Sequence, residues 1–390
     1  MKRIAVVGTI YKYLSHVQHI ADRFLVGYPI HGAWHRPDMK VVSLYIDQKP
    51  AGDLSEARAQ EFGFKVYGTI AEALRCGGDK LAVDAVLIIA EHGDYPRNDK
   101  GQILYPRYEF FQQCADVFEK DGKAVPVYND KHLSWSFEKA KSMVDTSKRL
   151  RFPMLAGSSL PVTWRLPELE LPLGCTIEEA LMVGNGGSDP MDYHALEAMQ
   201  CMIERRKGGE TGVRAVEMLE GDAVWKAGNE GRWSKDLLAS ALSRSDTPQG
   251  YTVEDGRTQD LSANGQLPKL VKKPAAYFIE HNDGLKTTLL MLSGAVQDFN
   301  FAARVRGAGV QSCQFLLTPT PNVTYSACLV NNIESMFETG RAAYPVERTL
   351  LVSGMLESCL TSRLKGSIRL DTPHLSVKYQ APKERNPARG

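Results

Sequence analysis

The chain has 390 residues, 43% hydrophobic and 24% charged, a balance that excludes disorder and exceeds one ordinary core, so two domains are expected. Lys and Arg number 47 against 46 Asp and Glu, so no net field draws the molecule to nucleic acid or an anionic membrane. No run of about 18 apolar residues is present to span a bilayer as a helix.

Residues 4–8, an apolar run closed by Gly8, read as a strand and not as a signal peptide. A helical stretch follows over 19–25, and a second strand over 40–46 ends on Asp47. Residues 55–62 are helical, 64–67 a third strand, and Thr69 caps a helix over 70–74 with Glu72 three residues on. A fourth strand over 83–89, an amphipathic helix over 108–120 and a fifth strand over 124–128 continue the alternation. Strands alternating with helices predict a parallel, Rossmann-like sheet in an α/β fold, with a first domain over 1–155.

In such sheets ligands bind beyond the carboxyl ends of the strands. Those ends carry Gly8-Thr9-Ile10-Tyr11, then Glu91-His92-Gly93-Asp94, then Asn129-Asp130-Lys131-His132. A dinucleotide site wants G-x-G-x-x-G, and here only Gly8 is kept, the later positions holding Ile10 and Tyr13. Tyrosines at that turn obstruct the usual pyrophosphate pose unless the loop is remodelled. Asp47 could still accept hydrogen bonds from a ribose hydroxyl pair, or be a solvated turn residue.

Past residue 156 the pattern changes. Strands are expected over 215–219, 223–225, 275–279, 285–292, 299–307 and 310–317, with His281-Asn282-Asp283-Gly284 a strong hairpin signal. Residues 177–182 and 194–205 lie among them, and 243–269 reads as an exposed loop. The expectation is an α+β substrate and oligomerisation domain over 156–390 with a mostly antiparallel sheet. No internal repeat is visible. Ser158-Ser159 lacks the G-x-S-x-G elbow of a serine hydrolase. Seven scattered cysteines with no CxxC read as reduced thiols of a cytoplasmic protein.

At Asn129-Asp130-Lys131-His132-Leu133 the chain resembles the glucose–fructose oxidoreductase and inositol dehydrogenase (Gfo/Idh/MocA) family, where a Glu-Lys-Pro-Leu tetrad follows strand five. Thr69–Leu74 before Asp84–Ile88 is similar to that family's helix-and-strand pair, and His194-Ala195-Leu196-Glu197 after Gly186-Gly187 to its Gly-Gly…His-x-x-Asp helix. Tyr344–Leu351 and Thr372–Leu375 resemble its C-terminal stretches. The resemblance implies an oxidoreductase using NAD or NADP on a sugar, cyclitol or sugar derivative, assembled as a homo-oligomer through the second sheet. It puts Lys131 and His194 in the catalytic lysine and histidine positions. The family's aspartate is Pro190 here, with Asp192 and Asp189 the nearest carboxylates. For the nucleotide, their places at the strand ends make Gly8, Thr9, Asp47, Glu91 and His92 the candidate cofactor contacts.

A lysine beside a neutral imidazole suits proton transfer from a hydroxyl while a hydride leaves its carbon. Lys131 could also be structural, paired with Asp130. The histidines support a rival. His16 and His19 share a helical face, and His92 and His132 come from neighbouring strand ends, an arrangement that would suit a divalent metal for non-redox lyase or isomerase chemistry. A non-catalytic ligand-binding relative is the third possibility.

Overall fold

The computed structural model describes residues 1–187, 189–247, 261–262, 265–318 and 323–383. Strand β1 (Lys2–Gly8) leads into helix α1 (His16–Val26), then a small hairpin of β2 (Tyr28–Ile30) and β3 (Ala33–His35), and β4 (Met39–Ile46). Helix α2 (Ser55–Phe62), β5 (Lys65–Tyr67), α3 (Ile70–Arg75), β6 (Ala85–Ile89), α4 (Arg107–Asp121), β7 (Val127–Asp130), α5 (Phe137–Leu150) and β8 (Met154–Gly157) complete the first half. Thr69 caps α3 as expected, its side chain accepting from the Glu72 amide.

The first sheet is fully parallel in the order β5-β4-β1-β6-β7-β8. Strand order reverses between β1 and β6, so the crevice at their carboxyl ends is the topological switch point. Every residue of β6 is buried, as a central parallel strand covered by helices on both faces requires.

The second half begins with β9 (Arg165–Leu166), β10 (Ile177–Gly184), α6 (Asp189–Ile203), β11 (Val213–Glu220), α7 (Asp222–Asn229), α8 (Lys235–Leu242) and α9 (Leu267–Leu270). It continues through β12 (Ala275–His281), β13 (Lys286–Met291), β14 (Phe299–Val305), β15 (Gly309–Phe315), α10 (Tyr325–Thr339), α11 (Val346–Leu364) and β16 (Leu370–Asp371). The sheet order is β16-β11-β12-β13-β10-β14-β15-β9, antiparallel throughout except for the parallel pair β10 and β13. The fold class is therefore α/β, a Rossmann-like parallel sheet joined to a mixed, mostly antiparallel one.

Two readings need correction. Residues 223–225 lie in helix α7, because Val224, Ala227 and Gly228 form a helical apolar face that a three-residue run cannot distinguish from a strand. Of the loop expected over 243–269, residues 248–260 and 263–264 lie outside the described residues, while Leu261 and Leu267 are buried among α7 and α8. No helix among the described residues is long and apolar enough to cross a membrane.

The halves are not separate in packing. Helix α10 returns to the first sheet, stacking Phe337 on Phe24 of α1 at 6.3 Å between ring centroids. Helices α6 and α11 pack on each other between the sheets and complete one continuous core.

Candidate active site

A cavity of about 340 Å³ opens at the switch point. Its floor is the strand ends: His16 and His19 of α1 after β1, Glu91 and His92 after β6, Asp130 and Lys131 at β7, and Ser158 and Ser159 after β8. Pro190, Met191 and His194 of α6 form one wall, and Tyr325, Ser326 and Leu329 of α10 another. The size is at the small end of the range for small-molecule sites.

Glu91 organises the floor. It is fully enclosed, its Oε1 lies 3.3 Å from Lys131 Nζ, and its Oε2 accepts from Arg107 Nη2. Burial alone would raise this carboxyl, but the Lys131 and Arg107 cations outweigh it and hold it far below the usual carboxylate range. The alternative pairing of Lys131 with Asp130 is not the one formed. Asp130 instead binds His16, Oδ2 to Nδ1, at 2.7 Å. Burial opposes ionisation of Asp130 too, and His16 overcomes it.

The backbone adds a second signal. His92 and Lys131 both have positive φ, 70° and 58°, conditions that cost a non-glycine residue about 1–2 kcal/mol. Cys76 and Arg151 share that conformation as helix C-caps, but His92 and Lys131 end no helix. Strain of this kind collects where side chains must be aimed. Lys131 is fixed further by its amide, which donates to Gly157 O at 3.1 Å.

His194 lines the same cavity. Burial, then the neighbouring Lys131 and His16, holds its imidazole well below the usual range and neutral. Burial likewise pushes His19 and His92 down to about 4. Among the described residues His194 Nδ1, His92 Nδ1 and His19 Nε2 are buried without a hydrogen-bond partner. Such orphaned atoms are costly unless a polar ligand meets them.

Asp192 does not join the pair. It is buried away from the cavity, accepting from Tyr277 Oη of β12 and, at 3.1 Å, from the Gly187 amide, and burial raises its carboxyl to about 6. His132 also points elsewhere, its Nε2 lying 3.4 Å from Asp189 Oδ2. The metal expectation fails on this geometry. His16 spends Nδ1 on Asp130, and the rings of His16, His19 and His92 pack against one another at 5.9 and 5.0 Å. No group of three or more ligating side chains converges among the described residues.

The expected nucleotide contacts divide. A Cβ on Gly8 would strike Val17 at 2.7 Å, so this glycine lets α1 pack closely on the strand ends. Thr9 Oγ1 is spent on Glu91 O at 2.8 Å, and Glu91 on its two cations. Asp47, at the end of β4, is exposed and hydrogen-bonded by Tyr45 and Tyr95 at 3.0 and 2.7 Å. Neither tyrosine of the loop after β1 lines the cavity. Tyr11 is buried with its hydroxyl on Asp22, Tyr13 projects to solvent, and Ser15 caps α1. Asp47 lies outside the cavity lining with each oxygen already taking one tyrosine hydroxyl, so its remaining lone pairs and the orphaned cavity nitrogens are the polar atoms that a nicotinamide nucleotide would meet. Sequence reasoning missed Arg107, although its place one turn before the buried Phe110 and Phe111 puts it on the apolar face of α4.

No protein-family model matches the chain, and no curated protein matches it. Solved structures do match in three dimensions. Myo-inositol dehydrogenase from Lactobacillus casei, in complex with NAD(H) and myo-inositol, is 11% identical with a TM-score of 0.54, covering 95% of this chain and 96% of its own. GenD2 from gentamicin A biosynthesis, in complex with NAD, is 14% identical with a TM-score of 0.57, covering 95% of this chain and 97% of its own. A probable dehydrogenase from Thermotoga maritima is 13% identical with a TM-score of 0.52, covering 96% of this chain and 99% of its own. Across nearly its whole length, this chain has the two-sheet fold of the Gfo/Idh/MocA dehydrogenases.

Proposed function

We propose that the protein is an oxidoreductase that uses NAD or NADP to oxidise a hydroxyl of a sugar, cyclitol or related polyol. The observation that carries this reading is the Lys131 ammonium, tied to buried Glu91 and held on a left-handed backbone, in one cavity with the neutral His194. The nucleotide complexes of the solved neighbours, one also holding myo-inositol, support the cofactor and the substrate class.

Gly8 and Asp47 would hold the nucleotide, with Thr9, Glu91 and His92 shaping the seam beside it. A bound nicotinamide supplies the hydride acceptor. Lys131 and His194 serve proton transfer at the reacting hydroxyl. The ammonium lies where it would favour an alkoxide, and the neutral imidazole accepts a hydrogen bond from the hydroxyl. Asp192, spent on Tyr277, takes no part in this scheme.

Calorimetric titration with NAD⁺, NADH, NADP⁺ and NADPH, followed by turnover on a polyol panel led by myo-inositol, tests the reading. Binding and turnover are expected. Lys131→Met should lower kcat by about 10²-fold or more while nucleotide affinity stays close to wild type. Absence of nucleotide binding, or a Lys131→Met enzyme at wild-type rate, would overturn it.

A further inference from the structure

Four imidazoles line the cavity, and they are not equivalent. His19, His92 and His194 each keep a buried ring nitrogen without a partner among the described residues. His16 alone among them is hydrogen-bonded to a carboxylate, Asp130, at 2.7 Å. That carboxylate closes β7 with only 2% of its side chain exposed, and Tyr128 Oη donates to its other oxygen at 3.4 Å. His16 keeps 22% of its side chain exposed, so its ring joins the buried floor to water.

The pairing decides the tautomer. With Nδ1–H donating to Asp130, the lone pair of His16 lies on Nε2, which makes no hydrogen bond among the described residues. An imidazole so oriented by a buried carboxylate is a proton acceptor whose cation is stabilised as it forms. The position at the start of α1 works against that cation, because the helix N-terminus carries about half a positive charge. A full negative charge in direct contact outweighs it. The other charged and titratable groups around His16 are Glu91, Lys131, Tyr105, Tyr325, His92, His194 and His19, and Glu91, shared between Lys131 and the Arg107 behind it, offsets one of those two cations.

We infer that His16, positioned by Asp130, takes the proton of the substrate hydroxyl. The inference rests on the redox reading above. The substrate O–H bond breaks as an H–Nε2 bond forms on His16. The carbinol C–H bond breaks with its electron pair, which leaves as hydride to the oxidised nicotinamide, and a C=O group remains. The imidazolium then returns its proton to water. His194, held neutral by burial, accepts a hydrogen bond from the same hydroxyl and aligns it for this transfer, while His19 and His92, also held neutral, are left as hydrogen-bonding walls.

The test compares wild type, His16→Ala, His16→Gln and Asp130→Asn, using NAD⁺ and myo-inositol, or whichever panel polyol the wild type oxidises. His16→Ala and His16→Gln should lose about 10²-fold or more in kcat with little change in NAD⁺ affinity or polyol KM. Added imidazole should restore part of the His16→Ala rate and none of the Asp130→Asn rate. A purely structural His16 would give no such rescue. Asp130→Asn should lose about tenfold or more, since the carboxylate fixes tautomer and charge. A His16→Ala enzyme within about threefold of wild type, or one that folds normally and is not rescued, overturns the assignment and leaves the redox reading standing. A wild-type protein that binds no nicotinamide nucleotide overturns both.

Discussion

Glu91 in the cavity floor and Glu197, buried behind Ser158, are both enclosed carboxyls, yet their surroundings push them in opposite directions. Glu91 meets two cations and stays ionised, so replacing it by Gln would leave Lys131 and Arg107 buried without a counter-charge. Breaking a buried pair in this way costs about 3–5 kcal/mol, so Glu91→Gln should shift the urea midpoint down sharply. An unchanged midpoint would mean that water already compensates the two cations. Glu197 meets no such partner at close range. Ser158 donates to it from its amide and its hydroxyl, both at 2.7 Å, but burial prevails and pushes the carboxyl from 4.5 up to about 7. Its folded pKa is therefore above its unfolded one. The unfolded chain releases this proton first, so stability falls as pH rises from about 4.5 to about 7, by about 3 kcal/mol in total. His19 and His92 act in the opposite sense, since their unfolded forms gain protons below about 6.5 that the folded ones refuse. The informative quantity is thus the difference between wild type and Glu197→Gln across that window. The variant should lose less stability on the way up, and parallel urea midpoints would show that Glu197 is ionised throughout.

The first-sheet elements named from the sequence are present to within a few residues, because each is a short apolar run or amphipathic stretch with its own punctuation. The sixth strand, β8, was not visible, since Met154–Gly157 is short and continuous with the loop that follows. Helix α7 was misread for the opposite reason, a β-branched and aromatic run whose burial follows the helical period. Glu91, His92 and Lys131 were legible as strand-end residues and His194 only through the family resemblance, and one cavity brings the four together. The dyad of His16 with Asp130 and the ion pair of Arg107 with Glu91 were not, because each joins residues from different elements. The missed strand is also what aims Lys131. Gly157 ends β8 at φ +126°, accepts from the Lys131 amide, and a Cβ there would lie 2.3 Å from Glu197 Oε1. Gly157→Ala should therefore cost about 1–3 kcal/mol and lower turnover together, through strain and displacement of Glu197. Loss of stability with an intact kcat would show that β8 does not set the position of Lys131.

At the scale of the molecule, the cavity exists because two sheets and the helices between them are packed as one body. A single apolar cluster runs from Val7 and Val86 of the first sheet through Leu196 and Leu351 to Tyr277 and Phe301 of the second. Helix α10, encoded after the second sheet, closes the cavity with Tyr325 and Leu329 and buries Ile333, Met336 and Phe337 with α1. The buried pair of Arg348 with Glu204 ties α11 to the segment after α6 in the same region. Damage to α10 should then be felt in both halves. Phe337→Ala removes a fully buried ring from the α1 interface and should cost about 3–5 kcal/mol. Hydrogen exchange read peptide by peptide separates two outcomes. If the chain unfolds cooperatively, amides of β6 and of β12 to β14 accelerate by the same factor. If only the first-sheet peptides accelerate, the two halves open independently, and the α10 wall of the cavity behaves as a lid that can leave while the second sheet remains folded.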